Sequence, residues 1–346
     1  MSDSADDTLR VGLNGFGRIG RNVFRASLDA EGIEVVGIND VMDVDDMAYL
    51  LKYDSVHGRT EDVEIDDDGD LVVGDRTVPI LSEKDPAELP WDDLDVDVAF
   101  ECTGLFRNYD DAYKHVEAGA EKTIISAPPK GEKEVLTIVY GVNHDEYEGQ
   151  DVVSNASCTT NSVAPVAKVL DDEFGIESGV LTTTHAYTGT QSLVDGPKAK
   201  RRRGRAAAEN IVPTSTGAAQ ATTEVLPQLE GKLDGMAMRV PVPDGSITDL
   251  TVDLEADASI EEINAAFEDA AEGDLEGVMG YTDDEIVSRD VVGQPYSSLI
   301  DGDATMKVED GLVKVLAWYD NEYGFSNRML DLAAYVTEES ELEASA

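Results

Sequence analysis

Leu9-Arg10-Val11-Gly12-Leu13-Asn14-Gly15-Phe16-Gly17-Arg18-Ile19-Gly20 opens on a short apolar run and closes on G-x-G-x-x-G. The run predicts a strand over 9–14. Ile19, Val23 and Ala26 recur at helical spacing and predict a helix over 19–28. Between the two, Gly15 and Gly17 allow a tight turn and let backbone approach a pyrophosphate closely. Gly20 lets helix and strand pack, and the helix N-terminus faces the anion. A second strand over 33–39 ends at Asp40, whose carboxylate can accept from a ribose 2′-hydroxyl and repels a 2′-phosphate. The following Val41-Met42-Asp43 offers no arginine to such a phosphate, so the expected cofactor is NAD.

Outward from this unit, residues 9–130 alternate short apolar runs with amphipathic stretches, the pattern of a parallel sheet with crossover helices. Further strands are expected over 96–101, 123–126 and 135–140. The acidic stretch 61–77 reads as antiparallel hairpins turning at Asp68-Gly69 and Gly74-Asp75. Beyond Asp151 the strands become longer and alternate, as in Ile247, Leu250, Val252 and Leu254, which points to an antiparallel or mixed sheet. Ser259, with Glu262 three residues on, predicts a capped helix over 259–271. The expected class is α/β: a Rossmann dinucleotide-binding domain over 1–157 and an α+β catalytic domain over 158–320 with a mixed, largely antiparallel sheet. A last helix within 321–346 is expected to pack back on the first domain.

The 346 residues carry 73 acidic and 26 basic side chains, a net charge of −47. Such a chain repels nucleic acid and anionic membranes at long range. It also repels itself unless salt screens it, and runs such as Asp66-Asp67-Asp68 fit hydrated surface in a high-salt cytoplasm. No apolar run approaches the roughly 18 residues of a membrane helix. The first residues lack the basic region of a signal peptide, and two cysteines are too few for a disulfide framework. A cytoplasmic location is expected, and no metal site.

Ser157-Cys158-Thr159-Thr160-Asn161 precedes an amphipathic run (Val163, Val166, Ala167, Leu170), placing Cys158 in the first turn of a helix. Helix N–H groups and dipole there favour the thiolate, the attacking form of a cysteine nucleophile. Cys102, in a strand-end Glu-Cys-Thr-Gly, fits a small buried side chain instead. Of the four histidines, His185 ends a strand over 179–184 and opens a turn-rich segment. Sequence leaves it open between a base for Cys158 and a structural imidazole. Lys198, Lys200, Arg201, Arg202, Arg203 and Arg205 form a basic island that could be a nucleic-acid patch, a set of ion pairs with acidic neighbours or a partner subunit, or part of a small-anion site. Thr188, Thr190, Ser215, Thr216, Gly217 and Arg239 offer the hydroxyl, backbone and bidentate donors that the last would need.

Taken together, 14–21, 39–40, 154–161, 185–191, 205–208, 213–219, 235–243 and 318–322 closely resemble the phosphorylating glyceraldehyde-3-phosphate dehydrogenases, in order and spacing from near residue 9 to about 338. The chain looks like a halophile-like acidic member. The resemblance implies Cys158 as nucleophile and His185 as its base. It implies Thr188 and Arg239 on the substrate C3 phosphate, and Ser157, Thr159, Thr216 and Gly217 on attacking phosphate, with Thr190 and Arg203 at or near these sites. Cofactor contacts would come from Asn14, Gly15, Phe16, Gly17, Arg18, Ile19, Gly20, Asp40, Thr103, Ser126 and Asn321, the last on the nicotinamide carboxamide. Pro197 matches the NAD-preferring form. A homotetramer with the basic loop between subunits is also implied. Val242 and Phe325 depart from the family's usual Thr and Tyr. Alternatives are a relative acting on erythrose 4-phosphate or preferring NADP and, from another class, a nucleic-acid-binding module built on the basic island.

Overall fold

The computed structural model describes residues 8–309 and 311–344, with side chains described through 340. The chain forms two compact units, one of residues 1–138, 145–156 and 326–346, the other of residues 139–144 and 157–325.

The first unit is built on a seven-stranded sheet, and every pair in it is parallel. The order is Leu136–Thr137, Val152–Ser154, Lys122–Ile125, Val98–Glu101, Leu9–Asn14, Ile33–Asn39 and Ile80–Leu81. Its strands are short and apolar mainly at their middle positions, as in a sheet covered on both faces. Val11, Leu13, Ile38, Phe100 and Ile124 are buried. The helix Arg18–Asp29 follows the first strand directly and sets Phe24 edge-on to Phe16, with ring centroids 5.9 Å apart. The acidic stretch forms the expected three-stranded antiparallel sheet of Val63–Ile65, Leu71–Val73 and Arg76–Val78. Val152–Ser154 enters the main sheet without being anticipated, since three buried residues carry no periodicity.

The second unit centres on an eight-stranded mixed sheet. Its path runs Val212–Ser215, Leu233–Val240, Ile176–Ala186, Ser246–Leu254, Val313–Tyr319, Ser298–Asp301 and Met279–Thr282, with Met306–Lys307 also on Val313–Tyr319. Two pairs are parallel and the rest antiparallel. Helices Cys158–Phe174, Ala218–Val225 and Ile260–Glu272 pack against this sheet and against one another. The last begins in a complete capping box between Ser259 and Glu262. The C-terminal helix spans Tyr323–Ala344, and no helix among the described residues is long and apolar enough to cross a membrane.

Candidate active site

The dinucleotide turn follows the sequence closely. Gly15 N–H donates to Asn39 O at 2.7 Å and Cys102 N–H to Asn14 O at 2.7 Å, tying the turn to the strand on either side. A Cβ on Gly20 would lie 2.0 Å from Gly15 O, so only glycine lets the helix start this near the strand end. At Gly17 the added carbon would meet nothing, which leaves room for a ligand. Asp40 accepts Phe16 N–H at 2.6 Å on one oxygen and Met42 N–H at 2.9 Å on the other. Each oxygen keeps acceptor capacity for a ribose hydroxyl. These features fit a dinucleotide: backbone room, a helix N-terminus and a carboxylate at the end of the second strand.

Asn14, Gly15, Gly17, Asp40 and Thr103 line one cleft. The Arg18 side chain pairs with Asp54. Ser126 donates its hydroxyl to Glu101 O at 2.9 Å, and Phe16 is fully buried. Cys102 is half-buried and lines the same cleft, contrary to the buried packing role expected of it. Burial and the neighbouring Glu101 push its thiol up to about 12. Exposed Val41 and Leu105, with Phe106, supply apolar cleft surface that nothing in the sequence announced.

In the second unit, Ser157 caps the helix Cys158–Phe174, its Oγ accepting Thr160 N–H at 3.1 Å. Cys158 is therefore the first helical residue. Ala156, just before the cap, is fully buried at φ 57°, a left-handed conformation that costs a non-glycine residue about 1–3 kcal/mol. His185 Nε2 lies 3.5 Å from Cys158 Sγ. Its Nδ1 sits 2.8 Å from Ala186 O, so Nδ1 carries the proton and Nε2 faces the sulfur with a free lone pair.

Burial, and then Arg239, press the His185 imidazole down to about 3, which keeps it neutral. Burial pushes the Cys158 thiol above its ordinary value, while Arg239 and hydrogen bonds to Thr159 pull the other way. Desolvation thus opposes the thiolate that the helix N-terminus favours.

Arg239 is placed by strand register, as the direct partner of His185 on the adjacent parallel strand. Its Nη1 donates to Ala186 O at 2.9 Å and lies 3.4 Å from Thr188 Oγ1, which is 2.8 Å from Thr190 Oγ1. Arg203 donates to Thr214 Oγ1 at 3.0 Å and to Ser215 O at 3.4 Å. Thr216 Oγ1 accepts Ala218 N–H at the start of the helix that Gly217 precedes. Thr159 Oγ1 is hydrogen-bonded to the buried Tyr319 OH at 3.0 Å. Of the basic island, only Arg205 pairs with an acid among the described residues, Asp195 at 2.8 Å. Lys200 donates to Ser215 Oγ at 2.7 Å.

Two residues around this centre escaped sequence reasoning. Tyr319 stands edge-on to His185 at 5.9 Å, with its hydroxyl between Thr159 and Thr183. Ser246 Oγ accepts Ala186 N–H at 3.1 Å and donates to Asn321 Oδ1 at 2.5 Å, leaving the Asn321 amide N–H groups as the available donors. Only strand pairing, Ser246 opposite Tyr319, could have revealed either.

A parallel sheet with a dinucleotide turn, joined in one chain to a mixed sheet carrying a thiol beside an imidazole, defines an NAD-dependent oxidoreductase. Residues 9–109 match the family model described as the NAD binding domain of glyceraldehyde 3-phosphate dehydrogenase, and residues 157–321 match that of its C-terminal domain. The chain belongs to the glyceraldehyde-3-phosphate dehydrogenase family. It is similar to the glyceraldehyde-3-phosphate dehydrogenase of Haloarcula vallismortis, 65% identical over 96% of this chain and 99% of the relative. The corresponding enzyme 1 of Bacillus subtilis is 54% identical over 95% and 98%, and that of Geobacillus stearothermophilus 53% over the same shares.

Proposed function

We propose that this chain oxidises D-glyceraldehyde 3-phosphate to 1,3-bisphosphoglycerate with NAD and inorganic phosphate, through a thioester on Cys158. The 3.5 Å approach of Cys158 Sγ to the unprotonated Nε2 of His185 carries the reading. His185 takes the S–H proton as Sγ attacks the aldehyde carbon and returns it to the oxygen, giving a hemithioacetal. The backbone N–H of Cys158 and the imidazole stabilise the developing oxyanion. His185 then removes the hydroxyl proton as the carbon is oxidised to the thioester. Bound NAD supplies the acceptor for the hydride that leaves this carbon. Phosphate attacks the thioester, the C–S bond breaks, and His185 returns the proton to sulfur.

Arg239 with Thr188 would bind the substrate's C3 phosphate, and Ser157, Thr216 and Gly217 the attacking phosphate, with Arg203 and Thr190 beside them. Asn14, Gly15, Gly17, Asp40 and Thr103 would hold the cofactor, and Asn321 its carboxamide. A homotetramer in the cytoplasm completes the proposal. Exposed Val180, Met236, Leu193 and Val194 in the second unit support an assembly that covers them. The test is NADH formation from glyceraldehyde 3-phosphate in concentrated KCl. One equivalent per site without phosphate and steady turnover with it are expected, and turnover indifferent to phosphate overturns the reading. Parallel rates with erythrose 4-phosphate and with NADP decide between this and its nearest relatives.

A further inference from the structure

Behind the dinucleotide turn, Asn39, Asn14 and Glu101 are register partners at the carboxyl ends of three adjacent parallel strands. Ligands of such sheets bind just outside these strand ends. The Glu101 side chain is fully buried, as are His115 and Trp91. Asn14 Nδ2 donates to Glu101 Oε2 at 2.6 Å. Thr103 N–H donates to Oε1 at 2.8 Å, and the Thr103 hydroxyl reaches the same oxygen.

The back of the carboxylate is closed by His115, whose Nε2 lies 3.4 Å from Oε2. Trp91 Nε1–H can only donate, and it meets His115 Nδ1 at 3.0 Å. Nδ1 is therefore the acceptor, and the imidazole presents its proton at Nε2, toward Glu101. Asn14 passes the constraint on, its Oδ1 accepting Asn39 Nδ2 at 2.7 Å, while Asn39 Oδ1 accepts Glu83 N–H at 2.7 Å. Asn14 and Thr103 flank the turn from two sides: Asn14 precedes Gly15, and a Cβ on Gly15 would lie 2.7 Å from Thr103 N.

We propose that Glu101 is a positioning residue for the dinucleotide turn: oriented from behind by His115 and Trp91, its carboxylate holds Asn14 and Thr103 so that the Gly15 turn is preformed for a diphosphate. Every group facing the carboxylate is a donor, so an isosteric amide cannot replace it. In Glu101→Gln the two Thr103 donors keep the amide oxygen, and the new NH2 faces Asn14 Nδ2 and His115 Nε2–H. Asn14 must then turn, which also releases Asn39.

The experiment is calorimetric titration of Glu101→Gln in concentrated KCl with NAD, ADP-ribose and adenosine, after the wild-type chain has been shown to bind NAD. That first step separates this inference from a failure of the cofactor reading. NAD and ADP-ribose should bind roughly tenfold more weakly or worse, the effect of leaving a buried donor unmet. Adenosine, which lacks the diphosphate, should bind as before, and the rate of Cys158 alkylation in the cofactor-free protein should not move. A rise in KM for NAD with kcat at saturation preserved completes the expected pattern. Unchanged NAD affinity in the folded variant overturns the proposal, and so does an equal loss for adenosine. Should Glu101→Gln fail to fold, His115→Leu takes its place. A several-fold loss for NAD and ADP-ribose with adenosine unaffected supports the role, and unchanged NAD affinity refutes it.

Discussion

His185 and Arg239 are side-by-side partners on parallel strands, and both reach the Ala186 carbonyl, the imidazole at 2.8 Å and the guanidinium at 2.9 Å. One peptide group thereby fixes the imidazole and the guanidinium together. Arg239 also lowers both His185 and Cys158. Arg239→Gln is expected to raise KM for the aldehyde about tenfold to a hundredfold, the scale of a lost charge-assisted hydrogen bond. Both titrations should move upward. Steady-state kinetics across pH check this, and an unaltered KM would remove Arg239 from the substrate site.

Replacing His185 separates chemistry from binding. His185→Asn should slow thioester formation by about 10²–10⁴, the range of general-base contributions, with NAD affinity unchanged. Cys158→Ser should abolish turnover. Rapid-quench measurement of the first turnover, alongside NAD titration, distinguishes these outcomes from a general loss of structure.

Burial sets the pH behaviour of the resting thiol. Because burial raises Cys158 and lowers His185 to about 3, alkylation by iodoacetamide should climb through the alkaline range. No inflection near the ordinary imidazole value is expected. A dominant inflection below neutrality that vanishes in His185→Asn would show a preformed thiolate–imidazolium pair instead.

Two neighbouring glycines should fail differently. Gly20→Ala drives a Cβ into Gly15 O, and loss of NAD binding together with lowered stability is expected. Gly17→Ala meets no protein atom, so the variant should melt like the parent yet bind NAD at least several-fold more weakly. Thermal melts paired with calorimetry test both, and undiminished NAD affinity in Gly17→Ala would contradict the placement of the diphosphate.

Acid lability has a local source in the first unit. Asp54 is buried, which by itself would raise its carboxyl. Backbone N–H groups of His57 and Val56 and the Arg18 side chain outweigh this and hold it at about 2. With its folded value below the unfolded one, Asp54 contributes about 2 kcal/mol above roughly pH 4, and loses it as pH falls toward 2. Denaturant midpoints measured between pH 6 and 2.5 should therefore fall more steeply in the parent than in Asp54→Asn.

What could be read from the sequence was local. The strand–turn–helix at 9–29, the alternation in Ser246–Leu254 and the Ser259 capping box are each specified within a dozen residues, and each forms as read. The first turn at Cys158 belongs with them. What could not be read is register. Nothing near His185 says that Arg239 will stand beside it, nor near Ser246 that Tyr319 will, because those pairings are decided by the whole mixed sheet. The left-handed Ala156 is likewise silent, since alanine gives no sign of such a conformation.

Asp40 has two employers. The carboxylate that disfavours a phosphorylated ribose also anchors the amide of Phe16 inside the glycine turn. Retuning this chain toward NADP by removing that charge would slacken the turn for either dinucleotide. Redesign must therefore reinstall a neutral acceptor for Phe16 at the same time as it introduces a cation for the new phosphate, and lineages that change preference are expected to alter these positions in concert.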